Sequence, residues 1–310
     1  MRRGFYETFA RIDWIDGQWV GLEHGIAADY IAADSPRLTT AYPMIFGHAI
    51  AGAAIRDLTL EGNRADQDAT MGGCRGGAIY FAGSRDLEVT GVHERDYDGE
   101  GLSFQMCRDV VIRDSSFDAN AGNGMHPGAG STNCLFEGCS SAGNGRSGFF
   151  FCVRASHITV NECSFESNSI GISVGTRDCH NAIESCRIGR NRAEGVLLRP
   201  EGVRPVEVHS VRIAHCEIVG NAFEAGAGQV SIHADAHDII IEDNRITGSN
   251  RLLPAIHATP TASNIYLAHN TIEECGESVA AASLVADRPQ ITFGYRAAPE
   301  AAFRHLPRAP

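Results

Sequence analysis

The residues of this chain that are best suited to catalysis recur on one side of a repeated strand. Tyr80, His126 and Arg199 occupy that side in separate copies of the repeat. An imidazole is the usual general base, a phenol can donate a proton, and a guanidinium holds a carboxylate through two parallel donors. We therefore predict a catalytic site for an acidic substrate on this side of the strands, with His126 as base and Tyr80 as acid.

The strands that carry these residues align on their glycines. The eight copies read AIYFAG, GLSFQM, GMHPGA, GFFFCV, GISVGT, GVLLRP, QVSIHA and AIHATP. One column is apolar throughout and is predicted to point inward: Ile79, Leu102, Met125, Phe149, Ile172, Val196, Val230 and Ile256. The two outward columns add four predicted substrate contacts: Ser103, Gln105, Phe150 and His233. Gly128, which follows His126 closely, is expected to leave open space above the sheet.

Three arginines are expected to lie close together. Arg154 and Arg177 fall at the same bend of consecutive repeats, about 4.8 Å apart in a parallel sheet, and Arg199 begins the next bend. Like charges at that distance repel unless an anion lies between them. The three side chains are therefore predicted to bind a substrate carboxylate or phosphate, with Arg177 also stabilising charge during the reaction. In the alternative, acidic residues neutralise the arginines in a surface network: Glu201, Asp178 and Asp235.

Carboxylates offer a second chemistry on the same side of the strands. A glycosidase needs two carboxyl groups about 5–9 Å apart, and Glu201 and Asp235 fall on adjacent repeats at the end of the arginine cluster. Asp98 and Glu100 precede the strand of Ser103 and are predicted substrate ligands, with Asp98 as an alternative partner of Glu201. No cofactor is predicted, and the turn DYDGE is the place that suits Ca²⁺, although it lacks the spacing of an EF-hand loop.

One short phrase organises the chain around these candidates. It reads CLFEGCSSAGN, ITVNECSFESN, AIESCRIGRN and VRIAHCEIVGN, with a Cys and an Asn at fixed places. Each unit is too short to bury its own apolar face, so the units must stack as the coils of a solenoid. The pattern predicts an all-β protein, a single-stranded right-handed parallel β-helix of about ten coils. Its predicted parts are a cap over 1–46, the β-helix over 47–294 and a loosely attached tail over 295–310.

Composition narrows the class of protein. The formal net charge of −12 argues against nucleic acid and anionic membrane surfaces as partners. All 26 basic residues are arginine, which excludes Schiff-base and P-loop lysine chemistry. The repeated cysteines are predicted to be packed thiols rather than disulfides. Because the N-terminus MRRGFYETFARIDWIDG has no apolar core typical of a signal peptide, we expect a cytoplasmic protein, or a secreted one if a signal has been removed.

The repeats resemble those of the pectate-lyase-like superfamily over roughly residues 45–290. The segments GNGMHPGAGS, SGFFFCVRAS, IGISVGTRDCHN and GVLLRPEG are similar to those of a bacterial subgroup of β-helix proteins associated with carbohydrate chemistry. The resemblance implies a β-helix fold and a carbohydrate substrate. Thr176 stands where the subgroup has a His, and the chain lacks the motifs of pectate lyases proper and of polygalacturonases.

Several functions remain open at this point. The first is proton abstraction next to a uronate carboxylate, giving β-elimination or C5 epimerisation, with an oligosaccharide or small acidic sugar as substrate. The second is glycoside hydrolysis by the carboxylate pair. An intracellular small-molecule isomerase or cyclase and a non-catalytic glycan-binding β-helix are further alternatives. Proton abstraction is favoured over hydrolysis because the arginine cluster needs an anion, whereas the carboxylate pair is poorly defined. The sequence makes no prediction of oligomeric state.

Overall fold

A computed structural model describes residues 10–26, 29–36, 38, 43–67, 76–200, 207–233, 235–249, 251–280 and 284–297. The chain divides into two units, Met1–Pro43 and Met44–Pro310. The capping role of residues 1–46 stays a prediction. Within the described residues, no helix is long and apolar enough to span a membrane.

The described residues form strands almost throughout. The strands up to residue 113 are β1 Ile12–Asp16, β2 Trp19–Leu22, β3 Ile45–His48, β4 Ala51–Glu61, β5 Gly77–Ala82, β6 Arg85–Arg95, β7 Glu100–Gln105 and β8 Arg108–Arg113. Those up to residue 189 are β9 Ser116–Asp118, β10 Met125–Pro127, β11 Thr132–Glu137, β12 Ser140–Ala142, β13 Ser147–Phe150, β14 Ser156–Asn161, β15 Ser164–Glu166, β16 Ile170–Val174, β17 Cys179–Glu184 and β18 Arg187–Gly189. The remaining strands are β19 Val196–Leu198, β20 His209–Ala214, β21 Glu217–Val219, β22 Val230–Ile232, β23 His237–Glu242, β24 Arg245–Thr247, β25 Ile256–Ala258, β26 Ser263–Ala268, β27 Thr271–Glu273 and β28 Val279–Ala280. Short 3₁₀ turns occur at Ala32–Asp34 and Arg64–Asp66.

The second unit is a right-handed parallel β-helix of about eight turns, slightly fewer than the ten that the repeats predicted. Face 1 is a ten-stranded sheet that contains β3, β5, β7, β10, β13, β16, β19, β22, β25 and β28. Face 2 contains β4, β8, β11, β14, β17, β20, β23 and β26, and face 3 contains β9, β12, β15, β18, β21, β24 and β27. Strand β6 runs through both, and β4 pairs with it along its whole length, so faces 2 and 3 join into one sheet. The first unit contains the antiparallel hairpin of β1 and β2.

The register of face 1 agrees with the alignment predicted from the glycines. Ile79 pairs with Leu102, which pairs with Met125, and the apolar column continues in step to Ile256. Its members are at most 1% exposed. Because side chains alternate across a strand, this inward column fixes Tyr80, His126 and Phe150 on the outer side of the sheet.

Asparagine side chains hold the turns between faces 3 and 1. The Oδ1 of Asn144 accepts from the amide of Asn120, and the Oδ1 of Asn168 accepts from the amide of Asn144, both at 2.9 Å. The same bond repeats from Asn191 and Asn221. Each turn therefore satisfies an amide of the turn before it, which is why Asn recurs at this place in the repeat.

The repeated cysteines line the corner between faces 2 and 3. Cys139, Cys163, Cys186 and Cys216 are each 2% exposed, and each thiol bonds to a backbone carbonyl. All nine described cysteines are free thiols, as predicted, and Cys74 lies outside the described residues. Burial raises the pKa of Cys186, so this thiol stays protonated at neutral pH.

The chain that follows the last coil returns along the outer side of face 2. Its attachments include the pairing of Arg288 with Glu242, the bond from the amide of Gly294 to the carbonyl of His180, and the bond from the amide of Arg296 to Oδ1 of Asn133. It bonds to Thr159, the register partner of Leu135, and Leu135 is only 9% exposed although it faces outward. The described start of the predicted loose tail, Tyr295 and Arg296, is therefore bonded to the coils.

We predict that the column of packed thiols contributes by filling space. Cys163→Ala removes a buried sulfur and leaves a small void, so unfolding in urea should become easier by about 1–3 kcal/mol with the fold intact. A count of reactive thiols in the denatured, unreduced wild-type protein should give ten. A markedly lower count would contradict the prediction of packed thiols.

A second prediction concerns Glu94, which points into the coil on the core side of face 3. It is 1% exposed, and burial raises its pKa to about 8. The folded state therefore keeps a proton that the unfolded chain releases above about pH 4.5, so stability falls as pH rises from there to 8. Glu94→Gln imitates the protonated form and should stabilise the protein by a few kcal/mol at pH 8, with little effect at pH 4.

Thermal unfolding across this pH range measures the effect of Glu94→Gln. The control is Glu61→Gln, whose carboxylate is half-exposed and paired with Arg95 on the surface. A pH-independent effect of Glu94→Gln would contradict the prediction.

Candidate functional site

A histidine and a glutamate form a buried pair on the outer side of face 1. Nδ1 of His126 lies 2.8 Å and 2.7 Å from the two carboxylate oxygens of Glu100. The imidazole is 1% exposed and the carboxylate is 6% exposed. A carboxylate at Nδ1 makes that nitrogen the donor and fixes the ring, which leaves Nε2 as the nitrogen that accepts a proton.

A second layer holds the glutamate in place. Nδ2 of Asn123 donates to Oε1 of Glu100 at 2.7 Å, and Oδ1 of Asn123 accepts from the amide of Ser147 at 3.0 Å. Glu100 begins β7, Asn123 precedes β10 and Ser147 begins β13, so a chain of hydrogen bonds links three consecutive coils through Asn123. The stacking of the coils therefore sets the position of His126.

Phe150 and Arg199 lie beside the imidazole. The Phe150 ring meets the His126 ring edge-on, with centroids 4.9 Å apart. The guanidinium of Arg199 lies over the same phenyl ring, with Cζ 4.1 Å from its centroid. Arg199 also donates to Oγ of Ser173 at 2.8 Å and to the carbonyl of Phe151 at 2.9 Å. One phenyl ring therefore separates the histidine from a cation.

The expected open space beside His126 is not found. An added Cβ on Gly128 would come within 1.9 Å of the Gln105 amide, because that side chain lies across Gly128 and accepts from the amide of Ala129. At Gly175 the same position is filled by the Arg199 guanidinium, 2.7 Å from an added Cβ. The glycines make room for long side chains from neighbouring coils.

The outer column around this pair is closely packed rather than exposed. Ser103 and Ser231 are fully buried and Ser173 is 1% exposed, although all three face outward. Each serine stands between larger residues of the adjacent strands, as Ser103 does between Tyr80 and His126. Tyr80 stacks on Phe46 and is one coil further from His126 than Ser103.

Arg154 and Arg177 occupy equal positions at adjacent bends, as predicted. Both have positive φ, and within the described residues neither forms an ion pair. Nε of Arg177 is buried with no hydrogen-bond acceptor among the described residues. Asp178, proposed as a neutralising residue, instead accepts from the amides of Ala155 and Gly175. Burial raises the pKa of Asp178 to about 7, and the positive charge of Arg199 opposes this shift.

The other predicted carboxylates are not brought to His126. Asp235 is exposed at the turn before β23, and Asp98 is half-buried at the turn before β7. Glu201 lies outside the described residues. His233 lies near His257, with ring centroids 5.5 Å apart. Glu100, predicted as a substrate ligand, uses both oxygens on His126 and Asn123 instead.

Sequence reasoning did not anticipate the pairing of Glu100 with His126 or the role of Asn123. A signal was present, since Glu100 and Asn123 stand at the entry of consecutive strands with His126 three residues further along. Glu100 and His126 are not register partners, so their contact depends on the direction of the two side chains. An alignment of the repeats gives only which residues are register partners.

Comparison with protein families gives one match. The profile described as "Right handed beta helix region" matches residues 77–236 and 155–293, which together cover more than half of the chain. A search of curated protein sequences finds no significant match.

Solved structures with similar folds include the A-module of mannuronan C-5 epimerase AlgE4 from Azotobacter vinelandii. It shares 18% identity at a TM-score of 0.56, with 78% of each chain covered. The AlgE6 A-module from the same organism has 20% identity and a TM-score of 0.56, covering 79% of this chain and 78% of that one. The catalytic domain of a GH87 α-1,3-glucanase with bound nigerose has 11% identity and a TM-score of 0.52, covering 81% of this chain and 55% of that one. At these identities the likeness concerns the fold.

The geometry of the pair predicts an asymmetric response at Glu100. Glu100→Ala leaves buried donors of His126 and Asn123 without an acceptor and should cost about 2–4 kcal/mol in chemical denaturation. Glu100→Gln keeps an acceptor and should cost clearly less. Glu61→Ala, which removes an exposed partner of Arg95, is the control and should change stability little. Equal losses for the three variants would contradict a specific role of the carboxylate.

Proposed function

The chain belongs to the right-handed β-helix family, and on that basis we propose that it is a carbohydrate-active enzyme that removes the C5 proton of a uronate residue. The outcome would be C5 epimerisation or β-elimination. The observation that carries this proposal is the buried His126–Glu100 pair, separated by one phenyl ring from the guanidinium of Arg199. In this arrangement the base would remove the C5 proton, and the cation would pair with the carboxylate next to C5 and so make that proton more acidic.

His126 is the proposed base. Its Nδ1–H donates to Glu100, which makes Nε2 the ring nitrogen that would take the proton. The carboxylate also stabilises the imidazolium that forms, as an acidic partner does for other catalytic histidines. Glu100 acts through His126 and is a positioning residue, as is Asn123, which holds Glu100.

Arg199 is the proposed ligand of the substrate carboxylate, and Arg177 supports it. The Arg199 guanidinium is fixed over Phe150 by bonds to Ser173 and Phe151, so little freedom is lost when it binds an anion. Arg177 has a buried Nε–H without an acceptor among the described residues, which favours an anionic ligand nearby. A paired carboxylate makes the C5 proton more acidic because the developing negative charge spreads onto it.

The reaction balances without an external reagent. The C5–H bond breaks, its proton goes to Nε2 of His126, and its electron pair enters the carboxyl group beside Arg199. Return of a proton to the opposite side of C5 gives the epimer. Alternatively, the bond between C4 and the glycosidic oxygen breaks, a C4–C5 double bond forms, and the oxygen takes a proton from an acid, for which Tyr80 is the candidate in this chain.

Hydrolysis is the second candidate, favoured by the likeness of the fold to that of an α-1,3-glucanase. It requires a pair of carboxyl groups free to act on substrate. Glu100 is engaged by His126 and Asn123, and Asp235 is exposed at a turn, so the described residues favour proton abstraction.

One assay separates these reactions. Mannuronate, galacturonate and glucuronate oligomers are incubated with the protein in D₂O. Deuterium at C5 in the NMR spectrum indicates proton abstraction, near-ultraviolet absorbance of an unsaturated uronate indicates elimination, and new reducing ends without either indicate hydrolysis. Absence of both C5 exchange and unsaturated product with all three substrates would overturn the proposal.

We predict that Arg199→Ala lowers kcat/KM for C5 exchange by about 2–4 kcal/mol, because a charge-assisted donor pair is lost. Arg199→Lys should lose part of this, since it keeps the charge without the forked geometry. His126→Ala should lower kcat more than it changes KM. Arg245→Ala is the matched control, because Arg245 pairs with Glu273 on face 3 and should leave turnover unchanged.

A further inference from the structure

Four histidines lie in contact where the chain enters face 2. The rings of His157 and His180 are parallel to within 3°, with centroids 4.9 Å apart. The ring of His209 meets that of His180 edge-on at 5.6 Å and lies parallel to that of His237, 5.1 Å away. The four residues stand at the starts of β14, β17, β20 and β23, so the ring contacts continue over four coils.

The backbone at two of these positions is left-handed. His157 and His180 stand at equal positions of adjacent strands and have φ of 54° and 56°. Asn133 and Asn264 have the same kind of φ at the equal positions of β11 and β26. Asparagine and histidine both tolerate this conformation better than most residues. Asparagine is therefore an uncharged replacement that keeps the backbone of either histidine.

The chain segment 288–296, here called the strap, crosses the outer side of face 2 at these histidines. Nδ1 of His180 donates to the carbonyl of Thr292 at 3.1 Å, and the carbonyl of His180 accepts from the amide of Gly294 at 2.8 Å. The amide of Tyr295 then donates to Oγ1 of Thr159 at 2.8 Å. The strap is therefore bonded to β17 and to β14.

His157 lies beside the strap and next to a cation. The amide of Arg296 donates to Oδ1 of Asn133 at 2.8 Å, and both residues line a cavity of about 240 Å³ together with Thr132 and His157. Nδ1 of His157 is buried and has no hydrogen-bond partner among the described residues. Burial, the adjacent His180 and the positive charge of Arg296 lower the pKa of His157. The imidazole is therefore neutral while the strap is attached at neutral pH.

No carboxylate bonds to His157 within the described ranges. The nearest acid in its register column is Asp109, whose two oxygens accept from Asn133 and Arg108. Cys179 and Tyr295 bring no negative charge, because burial raises the pKa of both. A proton on His157 would therefore meet positive charge without a compensating acid.

The opposite end of the histidine column differs. The ring nitrogens of His237 lie 2.8 Å from Asp238 and 2.9 Å from Glu207. Burial opposes protonation of His237, but these two bonds raise its pKa above the ordinary value. The pKa of His209 is lowered by burial and by the neighbouring histidines. Acidic support is thus present at β23, and the strap end depends on neutral rings.

From this geometry we propose that His157, stacked on His180 and facing Arg296, is a pH-sensitive latch that holds the strap on face 2 at neutral pH and releases residues 292–296 when His157 binds a proton. Movement of Arg296 away from the imidazolium relieves the repulsion between the two cations. The bond from His180 to Thr292 uses a ring N–H that is present in either charge state, so it does not itself respond to pH. The proposal concerns face 2 and is independent of the reaction on face 1.

The direction of the pH effect follows from the burial of His157. With the strap attached its pKa is lowered, and with the strap released the pKa returns towards the ordinary histidine value of about 6.5. Well above that value His157 is neutral in both states, and attachment is strongest. As pH falls below it, the released state binds the proton more readily, so attachment weakens.

Hydrogen–deuterium exchange of the peptide 288–297 tests the latch. Exchange is measured at pH 7.5 and pH 5.5 and corrected for the intrinsic pH dependence of amide exchange. Protection of the amides of Gly294, Tyr295 and Arg296 should fall several-fold at pH 5.5, up to the factor of about ten that one proton allows over this range. Protection in the strands of face 2 should not fall, since the buried Glu94 is expected to stabilise the whole fold as pH decreases.

Three variants identify the responsible group. His157→Asn keeps the left-handed backbone without a titratable ring and should abolish the pH dependence of the strap. Arg296→Gln keeps the backbone bond to Asn133 but removes the cation, so it should reduce the pH dependence even if His157→Asn loosens the strap at both pH values. The matched control is His269→Asn, because His269 also has a left-handed φ of 51° but is exposed and pairs with Asp243.

The latch would be overturned by strap protection in the wild type that does not change with pH. It would also be overturned if both His157→Asn and Arg296→Gln kept the full pH dependence, or if the His269→Asn control lost it. A fall in protection that extends equally over the strands of face 2 would indicate general unfolding in acid and would contradict a local switch.

Discussion

Equal positions of successive coils stand one strand spacing apart, about 4.8 Å, and this repetition decides which side chains the protein can use at each place. Asparagine suits it because one side chain both donates and accepts. The column from Asn120 to Asn221 passes hydrogen bonds from turn to turn, and it ends where Gln229 supplies the acceptor for the amide of Asn221. Cysteine suits the same repetition at the corner between faces 2 and 3, where each small thiol packs against the thiol of the adjacent coil.

Charge does not repeat in this way, since like charges one strand apart repel. On faces 2 and 3 the chain resolves this by alternation, as in the series Glu166, Arg187 and Glu217. Arg154 above Arg177 departs from the rule, and the net charge of −12 means that acids were available to neutralise them. Arg85 and Arg108 also stand one strand apart, on face 2, but each pairs with the aspartate that follows it. Among the described residues Arg154 and Arg177 have no such partner, and they stand at the edge of face 1, whose outer side holds the histidine pair. The arginines without acidic partners and the buried histidine–glutamate pair thus indicate the same candidate site, on face 1.

The β-helix fold and the register of face 1 could be predicted from the sequence, because the glycines near the strand starts and the inward apolar column determine both. The number of turns was predicted too high, since weak repeats near the ends were counted as full coils. Within the site, positions such as His126 and Phe150 were predicted correctly, but their surroundings were not. The contact of Glu100 with His126 and the path of Arg199 over Phe150 depend on side-chain rotamers, and a pattern of residue types carries no information on these. The burial of Ser103 also depends on the rotamers of its larger neighbours and was likewise not predicted.

Face 1 is built so that each coil completes the next. Gln105 lies across Gly128, and Arg199 lies across Gly175, so a glycine in one coil accommodates a long side chain from another. The surroundings of His126 come from an earlier coil through Glu100 and from later coils through Phe150 and Arg199. Since a shift of one residue in a strand reverses the side on which every side chain lies, the length of each intervening coil is as strict a requirement for this site as the identity of its residues.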